Sequence, residues 1–125
     1  MKDSDVRRYH QPIPKPPPRI RDPQAGTGKL IAEGRCRLCG KPIRDVRLSR
    51  HHLIARGQGG DDVDDNLVPL CGSGTEGCHG DVEHWRALAR QRLRRLLTAA
   101  ERAYVTRRGE EQGKPGLLDV LYPWG

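Results

Sequence analysis

Residues 49–80 read SRHHLIARGQGGDDVDDNLVPLCGSGTEGCHG and contain three histidines, one asparagine and two cysteines among glycines and aspartates. Imidazole and thiolate groups are common ligands of protein-bound metal ions. A further cysteine pair, Cys36 and Cys39, precedes this stretch, and little apolar material surrounds either pair. The sequence therefore predicts that metal ions help to hold the fold together.

The composition limits how the chain can be stabilised. It has 125 residues, of which 34% are hydrophobic, and it contains no phenylalanine. A chain of this length forms about one domain. A small domain with few apolar residues usually depends on disulfides, a structural metal ion or a partner subunit. The four cysteines make the first two possibilities concrete.

The cysteines are expected to bind one structural zinc ion. The N-terminus lacks the apolar core of a secretory signal and no later run is long enough to cross a bilayer, so we expect a cytoplasmic protein with no membrane partner. In a reducing compartment, thiols act as metal ligands more readily than they form disulfides. Glycine-rich turns suit a closed tetrahedral site formed by Cys36, Cys39, Cys71 and Cys78. The second pair is spaced more widely than a usual zinc knuckle, and a secreted disulfide domain or buried free thiols are the alternatives.

The charge of the chain favours a polyanionic partner. Its 23 Lys and Arg residues outnumber the 16 Asp and Glu residues, which gives a formal net charge of +7 at pH 7. This balance is typical of nucleic-acid-binding proteins, although many basic proteins bind no nucleic acid.

Residues 1–30, 31–97 and 98–125 differ in composition. The first range is rich in proline and basic residues and predicts a flexible, disordered arm. Within it, AGTGKL is close to a phosphate-binding loop, but Pro23 and Leu30 stand where that motif needs Gly and Ser or Thr, so a linker is predicted. The second range predicts the zinc-containing core, and the third predicts a C-terminal helical extension and tail.

The core range predicts two short strands and a helix. VRLSRHHLIA has the content of a strand, RGQGGDD marks a turn, and NLVPLC predicts a second extended piece because Pro69 excludes a helix interior. A helical pattern begins near Cys78 and continues through HGDVEHWRALARQRLRRLL. One apolar stripe of this helix is expected to face the core: Val82, Trp85, Ala89, Leu93 and Leu96. Thr98 and Glu101 form a capping box that predicts a second helix ending at Gly109.

Residues 61–65, DDVDD, are rich in carboxylates and could form a second metal site, such as a calcium-binding loop. They lack the ligand spacing and the terminal glutamate of a calcium-binding loop, so a solvated turn is predicted.

Several motifs in consecutive order resemble the HNH endonuclease family. They are HH at His51 and His52, GG at residues 59–60, NLVPLC beginning at Asn66, and CHG beginning at Cys78. With the flanking cysteine pairs they cover roughly residues 36–83. The resemblance implies an α+β protein with a small zinc-stapled ββα-metal fold, in which a β-hairpin and a helix hold one catalytic divalent cation.

The resemblance also implies roles for single residues. His52 resembles the general base that deprotonates the attacking water, and His51 and His79 resemble ligands of the catalytic cation. Asn66 resembles the asparagine that fastens the loop and orients the base. A neutral imidazole suits the base role, and a divalent cation neutralises charge on the phosphate oxygens. Adjacent side chains of a strand point to opposite faces, so the two neighbouring histidines need a bent strand or a cation at its edge.

Helical spacing extends the candidate site. Glu83 follows His79 by four positions and shares its face, which makes it a candidate third ligand, with a solvated surface carboxylate as the alternative. DNase colicins, which are similar in this motif, have a histidine at that place. Arg86, Arg90 and Arg94 continue on nearly the same face. We expect them to contact DNA phosphates, with a solvated helix face as the alternative.

The leading hypothesis is a metal-dependent endonuclease that nicks or cuts DNA, with a structural Zn²⁺ and a catalytic Mg²⁺, Mn²⁺ or other divalent cation. The alternative is a noncatalytic zinc module that binds nucleic acid. The short basic chain with its C-terminal YVTRRG and LYPWG looks like phage-encoded HNH proteins, some of which serve genome packaging. Phage terminase or other packaging proteins would then be partners, and the host-cell cytoplasm would be the location.

Overall fold

The centre of the protein is a pair of antiparallel strands followed by a helix. The structure, a computed structural model, describes residues 15–125. In chain order its elements are α1 (Thr27–Glu33), β1 (Leu48–His52), β2 (Leu67–Cys71), α2 (Gly77–Glu83), α3 (Ala87–Leu96), α4 (Ala99–Glu111) and α5 (Leu117–Leu121). Two short 3₁₀ helices, Arg56–Gln58 and Asp64–Asn66, lie in the loop between the strands.

The two strands pair over their whole length. His52 lies opposite Leu67, and Leu48 lies opposite Cys71. Every residue of β2 is buried, whereas β1 has mixed burial. Pro69 is tolerated inside β2 because each strand of a two-stranded sheet has an open edge. The helix α2 packs against β2, so the predicted ββα arrangement is confirmed.

One apolar cluster lies between the sheet and the C-terminal helices. Both the strands and the helices that follow them contribute to it. Its fully buried members include Ile54, Val68, Leu70, Val82, Leu93, Val105 and Tyr122. In the described part of the chain, no helix combines the length and the apolar composition that a bilayer span requires.

The prediction of one continuous helix after Cys78 is wrong, because the chain breaks between α2 and α3. Trp85 has a left-handed backbone with a φ of 55°. Arg90 reaches back from α3 and donates a hydrogen bond to the carbonyl of Val82 at 2.9 Å. The guanidinium of Arg90 also lies 3.4 Å from the centre of the Trp85 ring. The side chain of Arg90 therefore adds to the backbone N–H of Trp85, which binds the same carbonyl at 3.1 Å, in closing the last turn of α2.

The break changes which residues of the predicted stripe face the core. Val82 and Leu93 are fully buried, and Ala89 packs at the edge of the apolar cluster. Trp85 and Leu96 are 52% and 43% exposed. They were expected to be buried only because an uninterrupted helix would have aligned them with Val82.

The capping box at the start of α4 is confirmed. The hydroxyl of Thr98 accepts from the backbone N–H of Glu101 at 3.1 Å, and the Glu101 carboxylate accepts from the backbone N–H of Thr98 at 2.7 Å. The helix continues two residues beyond Gly109, where it was predicted to end. Glu101 is fully buried and also accepts from Lys29 at 2.6 Å and Arg37 at 2.7 Å. One carboxylate thus joins α4 to α1 and to the first cysteine turn.

From Arg19 onward the expected N-terminal arm forms hydrogen bonds with the loop between the strands, although most of its residues stay exposed. The guanidinium of Arg19 donates to Asp62 at 2.6 Å, and the backbone N–H of Ile20 donates to Asp61 at 2.6 Å. The predicted solvated turn of aspartates is therefore a docking point for this segment, and Asp61 is only 5% exposed. The stretch AGTGKL, predicted to be a linker, contains the first turn of α1. The rest of the expected arm, residues 1–14, lies outside the described residues.

Candidate metal centres

The four cysteine side chains converge beside the end of β2. Cys36 and Cys39 lie in a tight turn, Cys71 ends β2, and Cys78 lies in the first turn of α2. All four sulfur atoms lie within 4.8 Å of one another. The backbone N–H groups of Cys39 and Cys78 approach the sulfurs of Cys36 and Cys71 at 3.4 and 3.5 Å. The predicted grouping of the two pairs is thus present.

The sulfur geometry suits a tetrahedral zinc ion and does not suit a disulfide. The sulfurs of Cys39 and Cys71 are 3.7 Å apart, whereas a disulfide bond is about 2.05 Å long. Zinc–sulfur bonds of about 2.3 Å in a tetrahedron place the sulfurs about 3.8 Å apart. Burial raises the pKa of the Cys78 thiol, and the neighbouring thiols of Cys71 and Cys36 raise it further. Four thiolates at this place therefore need a cation to neutralise them.

A second group of ligand side chains lies between β1 and α2. His51 on β1 is 1% exposed, and His79 and Glu83 lie one turn apart on α2. Nδ1 of His51 is 2.9 Å from Oε1 of Glu83, and Nε2 of His79 is 3.3 Å from the same oxygen. One ligand atom from each of the three side chains lies within 4.8 Å of the others. The structure thus brings together the three residues that the sequence predicts at the catalytic cation.

The outer nitrogen of His51 contacts the C-terminal tail. Nε2 lies 2.8 Å from the hydroxyl of the fully buried Tyr122, and that hydroxyl donates to the carbonyl of Leu53 at 2.6 Å. A hydroxyl has one hydrogen and a carbonyl can only accept, so the hydrogen of Tyr122 goes to Leu53. Nε2 of His51 must then carry a hydrogen and donate a hydrogen bond to the hydroxyl oxygen of Tyr122. A neutral imidazole has a single N–H, so Nδ1 presents a lone pair to Glu83.

Ser49 orients His79 in the same way. Nδ1 of His79 lies 2.5 Å from the hydroxyl oxygen of Ser49, and this hydroxyl donates to the carbonyl of Gly72 at 2.9 Å. By the same count of hydrogens, Nδ1 of His79 donates to Ser49. The lone pair of His79 is then on Nε2, which faces Glu83.

Three electron-pair donors therefore face one another. Burial lowers the pKa of His51 to about 4, against the opposing effect of Glu83. The side chain of Glu83 is 39% exposed, which favours its charged form. At neutral pH the imidazole is therefore neutral and the carboxylate is charged. Their lone pairs repel at 2.9 Å unless a cation lies between them. Two imidazoles and a carboxylate, each with an outer hydrogen-bond partner for the ring, are a suitable donor set for a divalent cation.

His52 has a different partner from its neighbour His51. Its Nε2 lies 2.9 Å from Oδ1 of Asp62, which also accepts from Arg19 at 2.6 Å. Desolvation raises the pKa of Asp62, but the hydrogen bond with His52 and the charge of Arg19 help to lower it overall. A carboxylate can only accept, so Nε2 of His52 carries the proton. Nδ1 of His52 is left able to accept a proton.

Asn66 fastens the loop that follows β1. It is fully buried, and its side-chain oxygen accepts from the N–H of Ile54 at 2.8 Å. Its amide nitrogen donates to the carbonyls of Ile54 at 3.1 Å and Asp61 at 2.8 Å. Gly60 is needed in the same loop because a Cβ there would lie 1.7 Å from the carbonyl oxygen of Ile54. The loop that carries Asp62 is therefore held at several points.

An open cleft of about 660 Å³ lies beside the candidate metal centre. His52, His79 and Glu83 all line it. The histidine from β1 and the histidine from α2 thus share one cavity. Binding sites for small molecules have volumes of about 300–1,000 Å³. The volume of this cleft lies within that range.

Arg90 and Arg94 do not form the predicted phosphate-binding face. They are only 5% and 6% exposed. Arg90 donates to the carbonyl of Leu121 at 3.0 Å, and Arg94 donates to the carbonyl of Tyr122 at 2.8 Å. The break between α2 and α3 ends the common helical face, so these guanidinium groups bind the C-terminal tail. Arg86 is the member of the predicted trio that is exposed.

Sequence reasoning missed three side chains that contact the candidate site. Asp62 was assigned to a solvated turn, Ser49 was not singled out, and Tyr122 belongs to a tail that could not be placed. Ser49 had a usable signal, because it lies two residues before His51 and so shares its face of β1. Tyr122 had none, because 71 residues separate it from the histidine that it contacts.

Comparison with known proteins agrees with this geometry. A family model described as HNH endonuclease matches residues 36–83. This range contains both ligand clusters and the strands and helix that carry them. Comparisons with curated proteins and with solved structures gave no match. The family match supports a nuclease-type function and the binding of metal ions. The segment 36–83, with its two strands, following helix and clustered cysteines, is thus similar to the HNH endonuclease family.

Proposed function

We propose that the protein is a metal-dependent endonuclease that hydrolyses phosphodiester bonds of DNA. The observation that carries this proposal is that Nδ1 of His51 and Nε2 of His79 lie 2.9 and 3.3 Å from one oxygen of Glu83, beside a cleft that His79 and Glu83 share with His52. The family match supports the same activity. The net charge of +7 suits a polyanionic substrate.

In this proposal His51, His79 and Glu83 hold the catalytic cation, which is Mg²⁺, Mn²⁺ or another divalent ion. When bound, the cation neutralises the negative charge that develops on the phosphate and leaving-group oxygens. Tyr122 and Ser49 keep the proton of each imidazole on its outer nitrogen, so that the inner nitrogen stays available as a ligand.

His52 is the proposed general base. Its Nδ1 accepts the proton of the attacking water while Asp62 holds the N–H at Nε2. The carboxylate of Asp62 also stabilises the positive charge that His52 gains. Asn66 acts through the loop, because its three hydrogen bonds fix the backbone between β1 and Asp62.

The four cysteines are proposed to hold a structural zinc ion. That ion would connect the turn at residues 36–39 with β2 and α2. Structural zinc contributes directly to folding free energy. In this protein it would fix α2 against the sheet, and α2 carries two of the three ligands of the catalytic cation.

Cleavage of supercoiled plasmid tests the proposal. The full chain is incubated with plasmid and with Mg²⁺, Mn²⁺ or Ni²⁺ in turn, and nicked product is measured. General base catalysis contributes about 10²–10⁴-fold, so His52→Ala should lose at least about 10²-fold in rate. His84→Ala is the matched control, because His84 is exposed and outside the two ligand clusters. Wild-type protein that binds DNA but leaves it intact with every cation would contradict the proposal and favour a noncatalytic zinc module.

A role in phage DNA packaging, with terminase as a partner, stays a prediction from the family resemblance. Co-purification with a terminase subunit would test it.

A further inference from the structure

We propose that the DNA backbone runs along β1 through the cleft and that Arg47 and Arg56 hold its phosphates on either side of the reacting bond. This inference rests on the proposed nuclease function. It assigns to two arginines of the cleft the role that sequence periodicity had predicted for Arg90 and Arg94.

The two arginines lie at opposite ends of β1. Arg47 directly precedes the strand, and Arg56 begins the 3₁₀ helix that follows it. Both line the cleft that contains the candidate catalytic side chains. A strand rises about 3.3 Å per residue, so the five steps from Arg47 to His52 cover roughly 17 Å. A wall of this length can contact more than one consecutive phosphate of a DNA strand.

The guanidinium groups of Arg47 and Arg56 are available to a ligand. Both residues are exposed, and within residues 15–125 neither side chain forms a salt bridge or a hydrogen bond. Several other arginines of the described residues bind protein partners instead. Those paired with carboxylates include Arg19, Arg37, Arg94 and Arg108.

The acidic side chains of the cleft offset only part of this positive charge, because Arg19 pairs with Asp62 and leaves two carboxylates against three lining arginines. Asp62 is bound to Arg19 and His52 at 2.6 and 2.9 Å. Glu83 faces the two imidazoles of the candidate metal centre. Asp22 is the remaining carboxylate of the lining, and it accepts a hydrogen bond from a backbone N–H two residues later at 2.9 Å.

A third arginine of the cleft has a separate role. Arg50 donates to the carbonyls of Pro23 at 2.9 Å and Ala25 at 2.6 Å, so it fixes the N-terminal segment beside the cleft. Its charge stays in the cleft wall and adds to the positive field of Arg47 and Arg56. Because its loss would also release the N-terminal segment, Arg50 is not used in the test.

Equilibrium binding without added divalent cation tests the proposal. Fluorescence anisotropy is measured on two labelled duplexes of unrelated sequence, with the zinc-loaded full chain. The double variant Arg47→Ala, Arg56→Ala should bind on the order of tenfold more weakly or worse at 0.1 M salt. The slope of log K against log salt should become shallower by about 0.9 for each arginine, or roughly 1.8 in total. Both sequences should lose equally, because phosphate contacts carry no sequence information.

A control variant separates local contacts from net charge. Arg92→Ala, Arg95→Ala removes the same charge from exposed positions of α3 outside the cleft, and it should keep most of the affinity and of the salt slope. Equal losses in the two double variants would overturn the proposal.

Plasmid nicking by wild-type protein is measured in parallel. It distinguishes failure of the proposed DNA path from failure of the proposed nuclease function. Nicking by wild type together with unchanged binding of Arg47→Ala, Arg56→Ala would reject the DNA path alone. Binding that depends on these arginines, without nicking by wild type, would reject the nuclease function and support the path.

Discussion

Replacement of Tyr122 by phenylalanine should weaken cation binding without removing a ligand. The change deletes one hydroxyl and leaves the carbonyl of Leu53 and the N–H of His51 without their partner. Nothing then holds the proton on Nε2 of His51, and the tautomer that points an N–H at Glu83 becomes accessible. Loss of such an outer partner costs about 10–100-fold in metal affinity, which corresponds to about 1.4–2.7 kcal/mol. Each buried group left unsatisfied also destabilises the fold by about 1–3 kcal/mol.

Calorimetric titration of the zinc-loaded protein with Mn²⁺ measures the affinity, and urea unfolding measures the stability. Tyr104→Phe is the matched control. Tyr104 is also buried, and its hydroxyl donates to the Asp61 side chain at 2.8 Å and accepts from the Asp61 N–H at 2.9 Å. The control should lose stability to a similar extent and keep its affinity for Mn²⁺. Equal Mn²⁺ affinities of wild type and Tyr122→Phe would refute the tautomer reasoning.

Four further outcomes are expected. Glu101→Gln removes the buried carboxylate between Lys29 and Arg37 and should cost about 3–5 kcal/mol in urea unfolding. Desolvation raises the pKa of Glu101, but its two cationic partners lower it below the ordinary 4.5 overall. Its contribution is therefore present above pH 4.5 and lost as pH falls through the folded-state pKa, so the stability gap between wild type and variant should narrow in acid. Asp62→Asn should slow plasmid cleavage by about 10²-fold through misorientation of His52, the proposed general base, and an unchanged rate would remove Asp62 from the proposed mechanism. Arg90→Ala should lower the free energy of unfolding by about 2–4 kcal/mol and leave DNA affinity intact. A loss of DNA affinity without a loss of stability would instead support the phosphate contact predicted from the sequence. A strong zinc chelator should abolish the circular dichroism signal of the fold, and a fold that persists without zinc would contradict the structural role of the cysteines.

Short-range spacing explains the part of the fold and site that could be predicted. Two cysteines three positions apart lie in one turn, and His79 and Glu83, four positions apart in a helix, share one face whatever the rest of the chain does. The capping box at Thr98 is local in the same sense. The role of each candidate ligand stays a prediction, but the proximity of these side chains was accessible from spacing alone.

Long-range contacts explain where the predictions failed. The periodicity around Trp85 is that of a continuous helix, but Arg90 binds a carbonyl eight residues earlier in the chain and another 31 residues later. An arginine at helical spacing has the same pattern whether it faces solvent or carbonyl groups. In the same way, nothing near Asp62 in the sequence indicates that Arg19 and His52 both bind it.

X-ray anomalous scattering from crystals of the zinc-loaded protein soaked in Mn²⁺ would test the two-site claim most directly. We expect a zinc peak among the four cysteine sulfurs and a separate manganese peak between Nδ1 of His51, Nε2 of His79 and the carboxylate of Glu83. Manganese absent from this position, with His51 and Glu83 still in direct contact, would contradict the claim that these side chains form the catalytic metal centre.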